Sequence, residues 1–397
     1  MALSFKEILR YYFFWIINIT LNLLRFKKRD KNLWIFGAWG GNKFNDNTKY
    51  LFKYVHENEP KIQAVWITSK NTIKDEIIKM GYTCYLYNEK EGRKARLNAG
   101  YIFYTNGISD VGKINLCHGA KIVALWHGMP LKRLWFATNY FKHKKLRTIL
   151  RYYTLKIYYD KQRDYTIATS ETTKTFLQEC FEVNPDSILI TGQPRNDILF
   201  DSKISTLIKS KLNHLENEKF ILYMPTWRDM DLKGDSFLDN VLKELYEDSQ
   251  FLESLANKKI KLYVKPHPNL KLQAKSQANV VIIDESIDID SQELLVVADA
   301  FITDYSSAFI DYALLKRPIY FFTPDIEEYE KGSLGTFLSF NEFAQHWEST
   351  ISGFIELILN GDEGMGCSNT QLINSIYNDP TLKEGQYSRN VVEALRK

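Results

Sequence analysis

The sequence lacks most of the short motifs that assign a chemistry by themselves. No GxGxxG follows the first predicted strand, where GAWGGN is a poor match, and there is no GxxxxGK[ST], so a dinucleotide oxidoreductase and a P-loop kinase are disfavoured. No GxSxG suggests an α/β-hydrolase. The 4 cysteines are widely spaced without a CxxC pair. That spacing argues against a zinc site and a secreted disulfide framework, and it favours a reducing cytoplasm.

The sequence also has no apolar run long enough for a spanning helix. Residues 11–24 (YYFFWIINITLNLL) are interrupted by Asn18, Thr20 and Asn22, whereas a spanning helix needs about 20 apolar residues. No small-residue cleavage site follows, and the basic cluster RFKKR lies after the apolar run, which argues against a signal peptide. The pattern favours a helix in the membrane interface. The alternative is an ordinary helix packed on the first domain.

What the chain does have is a globular composition with concentrated positive charge. At 397 residues it is long enough for two domains. Its 45% hydrophobic and 14% aromatic residues exclude a disordered chain. The net charge is only +4, yet residues 141–163 hold eight Lys or Arg against one Asp. Both this stretch and residues 1–30 mix basic with aromatic residues, which predicts contact with an anionic membrane through Lys27, Lys28, Arg29, Lys144, Lys145, Arg147 and Arg151.

Strand and helix patterns alternate twice along the chain. Such alternation predicts mainly parallel sheets with helices on both faces, and so an α/β protein of two doubly wound domains facing each other across a cleft. Residues 201–218 are polar and rich in lysine and mark the passage into the second domain. The predicted domains are 1–30 (membrane-associating), 31–200, 201–376 and a 377–397 tail or helix. The predicted strands are 33–37, 63–68, 83–87, 101–105, 121–126, 165–169, 187–192, 220–224, 261–265, 280–283, 300–303 and 318–322.

Each candidate motif directly follows a predicted strand, where open α/β sheets bind ligands. In the first domain, WHGMPLK offers His127 and Gly128, and GQPRND offers Arg195. A histidine beside glycine at a strand end is well placed for proton transfer at neutral pH. Taken singly, His127 could be structural, and Arg195 could form a surface ion pair with its neighbouring aspartate, which would contribute little.

The second domain repeats this arrangement with residues suited to an anion. MPTWRD offers Thr226 and Arg228, KPHP offers Lys265 and His267, and residues 298–321 offer Asp304, Ser306 and Ser307. The last three predict an N-cap at a helix start, whose unpaired N–H groups attract phosphate oxygens. Simple capping is the alternative interpretation of these three residues.

Together the motifs supply two histidines, several cations and a hydroxyl-bearing helix start. Such a set suits a diphosphate donor, because cations and N–H groups stabilise the charge that develops on a leaving phosphate. No DxD-like pair follows a strand to hold a metal. Asp284, Asp288 and Asp290 are close together but fit a solvated acidic turn equally well.

In this order, WHGMPLK, GQPRND, YMPTWRD, VKPHP and ITDYSSAFIDYALLKRPIYFF resemble the CDP-glycerol glycerophosphotransferase family. That family comprises the teichoic acid primases and polymerases and related enzymes of capsule synthesis. The stretch 36–52, FGAWGGNKFNDNTKYLF, is similar to the family's first glycine-rich loop. It places Gly40, Gly41, Asp46 and Asn47, together with Gly128, on the acceptor side. Met129 stands where the common family pattern has a hydroxyl residue.

The resemblance implies a GT-B fold, a CDP-glycerol or CDP-ribitol donor, and no cofactor or metal. By position it implies that His127 and His267 are the two essential histidines and that Arg228, Lys265, Ser306 and Ser307 hold the donor's phosphates. Arg195, Thr226 and Asp304 are also expected to bind the donor. The expected reaction moves an alditol phosphate to a hydroxyl of a membrane-associated glycan or lipid-linked acceptor and releases CMP. It would take place at the cytoplasmic face of the cell membrane, in teichoic acid or capsule synthesis.

Two other functions stay open at this point. One is a GT-B sugar-nucleotide glycosyltransferase of cell-surface polysaccharide synthesis. The other is a non-catalytic protein that binds membranes or nucleic acid through residues 141–163, which the basic-aromatic composition allows. Such a binder would have no use for two histidines at strand ends, so the motifs favour an enzyme.

Overall fold

The structure is a computed structural model that describes residues 9, 12–13, 16–17, 29–138, 141, 146–159, 163–226, 228, 236–267, 270, 272–284, 286–287, 289–330, 335–361 and 363–396. The chain divides into two units. The first comprises Met1–Gly128, Leu134–Asp197 and Gln386–Lys397, and the second comprises Met129–Arg133 and Ile198–Gly385.

The strands form one parallel sheet in each unit. They are β1 (Asp30–Gly37), β2 (Gln63–Thr68), β3 (Cys84–Leu86), β4 (Ala99–Tyr104), β5 (Lys121–Ala124), β6 (Tyr165–Ala168), β7 (Ile188–Ile190), β8 (Lys219–Met224), β9 (Ile260–Val264), β10 (Val280–Ile282), β11 (Ala300–Thr303) and β12 (Ile319–Phe321).

The α-helices connect these strands and cover the sheets. They are α1 (Asp46–Asn58), α2 (Asn71–Lys79), α3 (Lys90–Asn98), α4 (Leu146–Tyr159), α5 (Glu171–Phe181), α6 (Ser202–Lys211), α7 (Phe237–Glu247), α8 (Ser249–Asn257), α9 (Ser291–Val297), α10 (Ala308–Ala313), α11 (Ile326–Glu330), α12 (Ile351–Asn360), α13 (Glu363–Tyr377) and α14 (Tyr387–Arg396).

The sheet of the first unit has the order β3-β2-β1-β4-β5-β6-β7. Side chains of successive strand residues point to opposite faces, so the apolar run of β1 supplies two cores. Trp34 and Phe36 pack in one core with helices α1, α2 and α14, whereas Leu33 and Ile35 pack in the other with α3. The chain reverses its direction of winding between β1 and β4, and the carboxyl ends of these strands are where such sheets bind ligands.

The sheet of the second unit has the order β10-β9-β8-β11-β12 and repeats this winding. Its apolar strands are buried on both faces, and one face packs against Leu242 of α7, Leu255 of α8 and Phe354 of α12. The reversal lies between β8 and β11, which pair from Ala300 opposite Ile221 to Thr303 opposite Met224. The carboxyl ends of β8 and β11 are therefore the expected ligand site of this unit.

Every strand predicted from the sequence is present, with ends that differ by a few residues. The predicted boundary between the two domains follows residue 200, and the structure divides the two units between Asp197 and Ile198. The predicted tail 377–397 is shared between the units, because α13 ends at Tyr377 in the second and α14 belongs to the first.

Helix α14 is anchored to the first unit by a half-buried carboxylate, that of Asp197. Asp197 accepts hydrogen bonds from the backbone N–H groups of Tyr387 at 2.7 Å and Ser388 at 2.9 Å. These are orphan donors of the first helical turn, which an acidic group satisfies well. Val391 and Val392 then complete the core around Trp34. The last helix of the chain is thus part of the first core.

The predicted membrane-associating segment 1–30 lies mostly outside the described residues. Within the described part of the chain, none of the helices combines the length and the apolar character needed to cross a bilayer.

Candidate active site

His127 follows β5 in a loop with an unusual backbone. Trp126 has a left-handed φ of 56°, and Gly128 has a φ of 147°. For a residue other than glycine, such a conformation costs roughly 1–3 kcal/mol and persists only where neighbours fix it. The imidazole packs on the Trp126 indole with ring centroids 4.2 Å apart. Its Nδ1 is buried and has no hydrogen-bond partner among the described residues, so one ring nitrogen is not committed to the fold.

A buried asparagine holds this strained loop. The side chain of Asn47 donates from Nδ2 to the carbonyl oxygens of Leu125 at 3.1 Å and Trp126 at 3.0 Å. Its Oδ1 accepts from the backbone N–H of Arg195 at 3.1 Å. Asn47, predicted on the acceptor side, therefore joins the start of α1, the loop after β5 and the loop after β7.

A buried ion pair lies beside the histidine. The Arg195 guanidinium donates from Nη1 to Asp46 at 3.0 Å and to the His127 carbonyl at 2.9 Å. Both side chains are about nine-tenths buried. The alternative that Arg195 makes only a surface pair with the adjacent Asp197 is wrong, because Asp197 binds the start of α14 instead. Arg195 was predicted to bind the donor, and the structure places it next to His127.

Burial lowers the pKa of His127 below its ordinary value. The Asp46 carboxylate and a hydrogen bond with the backbone of Thr105 act to raise that pKa, whereas Arg195 lowers it. The net direction keeps the imidazole neutral at pH 7, and a neutral imidazole is the form that accepts a proton. The surroundings of His127 are thus those of a general base.

The glycine-rich loop after β1 is fixed by an aspartate that the motif search missed. Gly40 and Gly41 have left-handed φ values of 64° and 75°. The Gly40 N–H donates to Asp110 at 2.7 Å, and the other oxygen of Asp110 accepts from Thr105 at 2.9 Å and Asn106 at 2.8 Å. Asp110 thus ties this loop to the carboxyl end of β4. It follows a predicted strand, so extending the strand-end rule to β4 would have found it.

In the second unit, a single carboxylate bridges the two strand ends at the winding reversal. Asp304, just beyond β11, accepts from the backbone N–H of Thr226, just beyond β8, at 2.9 and 3.0 Å. It also accepts from the N–H of Tyr305 at 2.6 Å. Asp304 is 0% exposed. Asp304 therefore supports the loops after β8 and β11, whereas Ser307 is the N-cap residue of the next helix. Contact between Asp304 and the donor stays a prediction.

Arg228 is enclosed by two carboxylates. Its Nη1 lies 3.0 Å from Asp304, and its Nε and Nη2 lie 2.8 and 3.1 Å from the two oxygens of Asp325. Burial acts to lower the pKa of Arg228, but the two carboxylates raise it above its ordinary value. Tyr305 donates to Asp325 at 3.1 Å and completes the cluster. Arg228 thus belongs to a buried network with Asp304 and Asp325. The motif search missed Asp325, although it too follows a strand.

The other residues predicted to hold the donor in this unit are more accessible than Arg228 and Asp304. Ser306 and Ser307 are half-buried, and Ser306 Oγ accepts from the Ala308 N–H at 3.3 Å. Helix α10 has only 6 residues, so its dipole is weaker than the sequence suggested. Beyond β9, Lys265 is half-buried, with Nζ 3.5 Å from the Ile289 carbonyl, and His267 is exposed. These four side chains lie at the carboxyl ends of two strands of one sheet.

Among the residues that the structure describes, no group of three His, Cys, Asp or Glu side chains is arranged to hold a metal ion. Asp284 closes a turn by accepting from the Ser286 N–H at 2.9 Å, and Asp290 caps α9. Asp288 lies outside the described residues.

Only some of the residues predicted to face a membrane are among those that the structure describes. Lys27, Lys28, Lys144 and Lys145 lie outside the described residues, as does the side chain of Arg147. Arg151 lies on α4 and is half-buried. The prediction for Arg29 is wrong, because its guanidinium donates to the backbone carbonyls of residues 96, 116 and 118 within the first unit.

Comparison with known proteins gives a consistent result. The sequence model of the family described as CDP-glycerol:poly(glycerophosphate) glycerophosphotransferase matches residues 19–396. The teichoic acid poly(glycerol phosphate) polymerase of Staphylococcus epidermidis is 30% identical over 330 residues, which cover 78% of this chain and 42% of that protein. The polymerase of the same name from Bacillus spizizenii is 28% identical over 405 residues, covering 96% of each chain. The chain thus spans less than half of the first relative and nearly all of the second.

A solved structure extends the likeness to the fold. The wall teichoic acid polymerase TagF, soaked with CDP-glycerol, superposes with a TM-score of 0.73 at 24% identity, over 100% of this chain and 98% of that one. With the two parallel sheets described above, this likeness confirms the predicted α/β fold of the GT-B class. The match of the family model over nearly the whole length shows that the chain belongs to the CDP-glycerol:poly(glycerophosphate) glycerophosphotransferase family, as its motifs predicted.

Proposed function

We propose that this chain transfers glycerol phosphate from CDP-glycerol to a hydroxyl of a membrane-associated glycan or lipid-linked acceptor and releases CMP. The observation that carries the proposal is the state of His127: held by strained backbone, flanked by a buried ion pair, and kept neutral by burial. Family membership supports the donor, since the related polymerase was solved with CDP-glycerol. Ribitol phosphate is the related alternative unit.

In the proposed reaction, His127 takes the proton of an acceptor hydroxyl as its oxygen attacks the phosphorus next to the alditol. A phosphorus–oxygen bond forms to the acceptor, and the bond between that phosphorus and the bridging oxygen of CMP breaks. Phosphoryl transfer requires mainly positioning and charge stabilisation from the protein. Asn47 and Arg195 supply the positioning, because they fix the backbone on both sides of the histidine.

In the second unit, we assign the leaving CMP to the accessible side chains at the strand ends. Lys265 would supply positive charge, and His267, Ser306 and Ser307 would supply hydrogen-bond donors. Thr226, Arg228 and Asp304 would hold these loops in place from within, since the two charged residues are buried and already paired. The resemblance to the family implies that this charge replaces a metal ion.

A sugar-nucleotide glycosyltransferase is the second candidate, because one fold supports many activities. A donor screen separates the two. With CDP-glycerol, CDP-ribitol, UDP-sugars and GDP-sugars offered in turn, we expect CMP release from a CDP-alditol, with or without EDTA, and a product heavier by one alditol phosphate. Release of UDP or GDP with formation of a glycosidic bond would overturn the proposal. CMP release without a modified acceptor would indicate hydrolysis instead.

The pH dependence of turnover reports on the ion pair beside His127. Activity should fall in acid as the imidazole is protonated, below the pH expected of an ordinary histidine, because burial lowers its pKa. Asp46 raises this pKa, so Asp46→Asn should move the acid limb of kcat/KM to lower pH. Arg195 lowers it, so Arg195→Gln should move the limb the other way. Shifts in the same direction in both variants would exclude His127 as the titrating base.

We also propose that the chain works as a peripheral protein at the cytoplasmic face of the membrane. Helix α4 supports this, because it presents Leu150, which is 61% exposed, and Tyr153, which is 59% exposed, on the same face as Ile149. Residues three and four apart share a helix face. An apolar face within a basic stretch is the composition of interfacial helices.

Vesicle co-sedimentation tests this surface. Binding to vesicles containing anionic lipid should weaken as salt rises, because each basic residue near such a surface contributes about 1 kcal/mol through a screened interaction. Leu150→Asp combined with Tyr153→Asp should reduce binding at low salt. Leu207→Asp is the matched control, since Leu207 is 57% exposed on α6 of the second unit. The proposal would be refuted if vesicle binding changed neither with salt concentration nor in the α4 variant.

A further inference from the structure

The glycine-rich loop presents a large aromatic side chain beside the candidate base. Trp39 is 39% exposed, and its ring centroid lies 5.7 Å from that of His127. Of the other tryptophans described in this unit, Trp135 is half-buried, and the rest, Trp34, Trp66 and Trp126, are buried. Exposure of a tryptophan next to a candidate catalytic group needs an explanation, because burying an indole is strongly favourable.

The backbone of Trp39 has an unusual conformation as well. Trp39 has a left-handed φ of 49°, a region that residues other than glycine and asparagine rarely occupy. Its carbonyl accepts from both the N–H and the side-chain amide of Asn42 at 3.1 Å, and the next residue, Gly40, is fixed by Asp110. The loop is therefore held from both sides. Glycine or asparagine would fit position 39 with less strain, so the indole is kept at a conformational cost, as is common at binding sites.

The chemistry of an indole ring indicates which class of ligand Trp39 would bind. An aromatic ring is negative on its face, so it attracts the positive C–H groups on the apolar face of a sugar ring. The ammonium of Lys43, 5.8 Å from the Trp39 ring centroid, adds a charge that suits a neighbouring phosphate. A chain end of glycerol phosphate is anionic and has no ring, so it would gain little from an aromatic face.

We propose that Trp39 is the platform on which a sugar ring of the acceptor stacks, next to the hydroxyl that His127 deprotonates. The inference rests on the proposed function and goes further by naming the acceptor: a ring-bearing sugar rather than the ring-free end of a glycerol phosphate chain. Trp39 is then a residue that determines acceptor specificity.

Binding of two matched acceptor probes tests this assignment. One is an alkyl hexopyranoside, and the other is a glycerol phosphate ester with the same alkyl chain. We expect quenching of tryptophan fluorescence by the hexopyranoside in the parent protein. In calorimetry, Trp39→Asn should bind that probe about ten-fold more weakly, Trp39→Phe should lie between, and the glycerol phosphate ester should be unaffected. Equal hexopyranoside affinity in the parent protein and Trp39→Asn would overturn the proposal.

Lys259→Asn is the matched control. Lys259 is also exposed, with a left-handed φ of 54°, but lies in the second unit. Asparagine tolerates this conformation, so both variants should unfold at or above the parent temperature, and only Trp39→Asn should bind the sugar probe more weakly. The acid limb of kcat should not move in Trp39→Asn; a shift would mean that Trp39 acts through His127 and would also overturn the proposal. If Trp39 governs sugar binding but no CDP-alditol is consumed, the proposed function fails while this site stands.

Discussion

His127→Ala is expected to lower the rate of CMP release by about 10²–10⁴-fold, the range that a general base contributes. The reason lies in the surroundings of the imidazole, which is neutral, fixed and adjacent to the strained Trp126 peptide. Arg195 donates to the His127 carbonyl and Asn47 to the Trp126 carbonyl, and both bonds survive the substitution because they involve backbone groups. The unfolding temperature should therefore stay close to that of the parent. Steady-state kinetics with CDP-glycerol and a thermal scan provide the two measurements.

His56→Ala is the matched control for this experiment. His56 lies exposed on α1 of the same unit, with its ring centroid 4.8 Å from that of Tyr82. Its removal should leave the rate unchanged. A near-normal rate in His127→Ala would remove this histidine from the mechanism, and an equal loss in both variants would point to a general effect of losing a histidine from this unit.

Asp304→Ala is expected to destabilise the second unit by about 3–5 kcal/mol, the cost of removing one member of a buried ion pair. The substitution removes one of the two carboxylates beside Arg228 and takes the acceptor from the N–H groups of Thr226 and Tyr305. For a unit of this size that loss corresponds to a fall of roughly 10 °C in Tm. Differential scanning calorimetry can follow it, and activity should fall as the strand-end loops lose their anchor.

Two further variants show which part of Asp304 matters. Asp304→Asn keeps an acceptor for the N–H groups but removes the charge beside Arg228, so its loss of Tm should be smaller. Asp325→Ala removes the more accessible carboxylate, whose side chain is 29% exposed, and leaves Arg228 paired with Asp304. Its loss of Tm should also be smaller than that of Asp304→Ala. If Asp304→Ala unfolds at the parent temperature, the carboxylate does not anchor the two strand ends.

Much of the site follows from the rule that parallel sheets bind ligands at the carboxyl ends of their strands. The rule finds His127 after β5, Arg195 after β7, Thr226 after β8 and Lys265 after β9, because apolar strands and the polar residues that follow them are both visible in sequence. Applied to β4 and β12 as well, it finds Asp110 and Asp325. No motif marks those two loops, which is why the search passed over them.

Pairing between these residues could not be predicted in the same way. The sequence left open a pair between Arg195 and its neighbouring aspartate and named no partner for Arg228, whereas each pairs with a carboxylate that is distant along the chain. Burial also decides the role of a charge. Asp304 has the sequence position of a ligand-binding residue, but its complete burial makes it a support for Thr226 and Arg228.

By itself, the amino-acid sequence determined the strands, the parallel α/β class, the order of the motifs and the family, because hydrophobic periodicity and short motifs are local properties of a chain. Only the tertiary structure decided which carboxylate neutralises which guanidinium, that Arg29 binds backbone carbonyls, and that the last helix completes the first core. Those outcomes depend on contacts between residues far apart along the chain. Such contacts exist only once two sheets and their helices have buried their apolar faces.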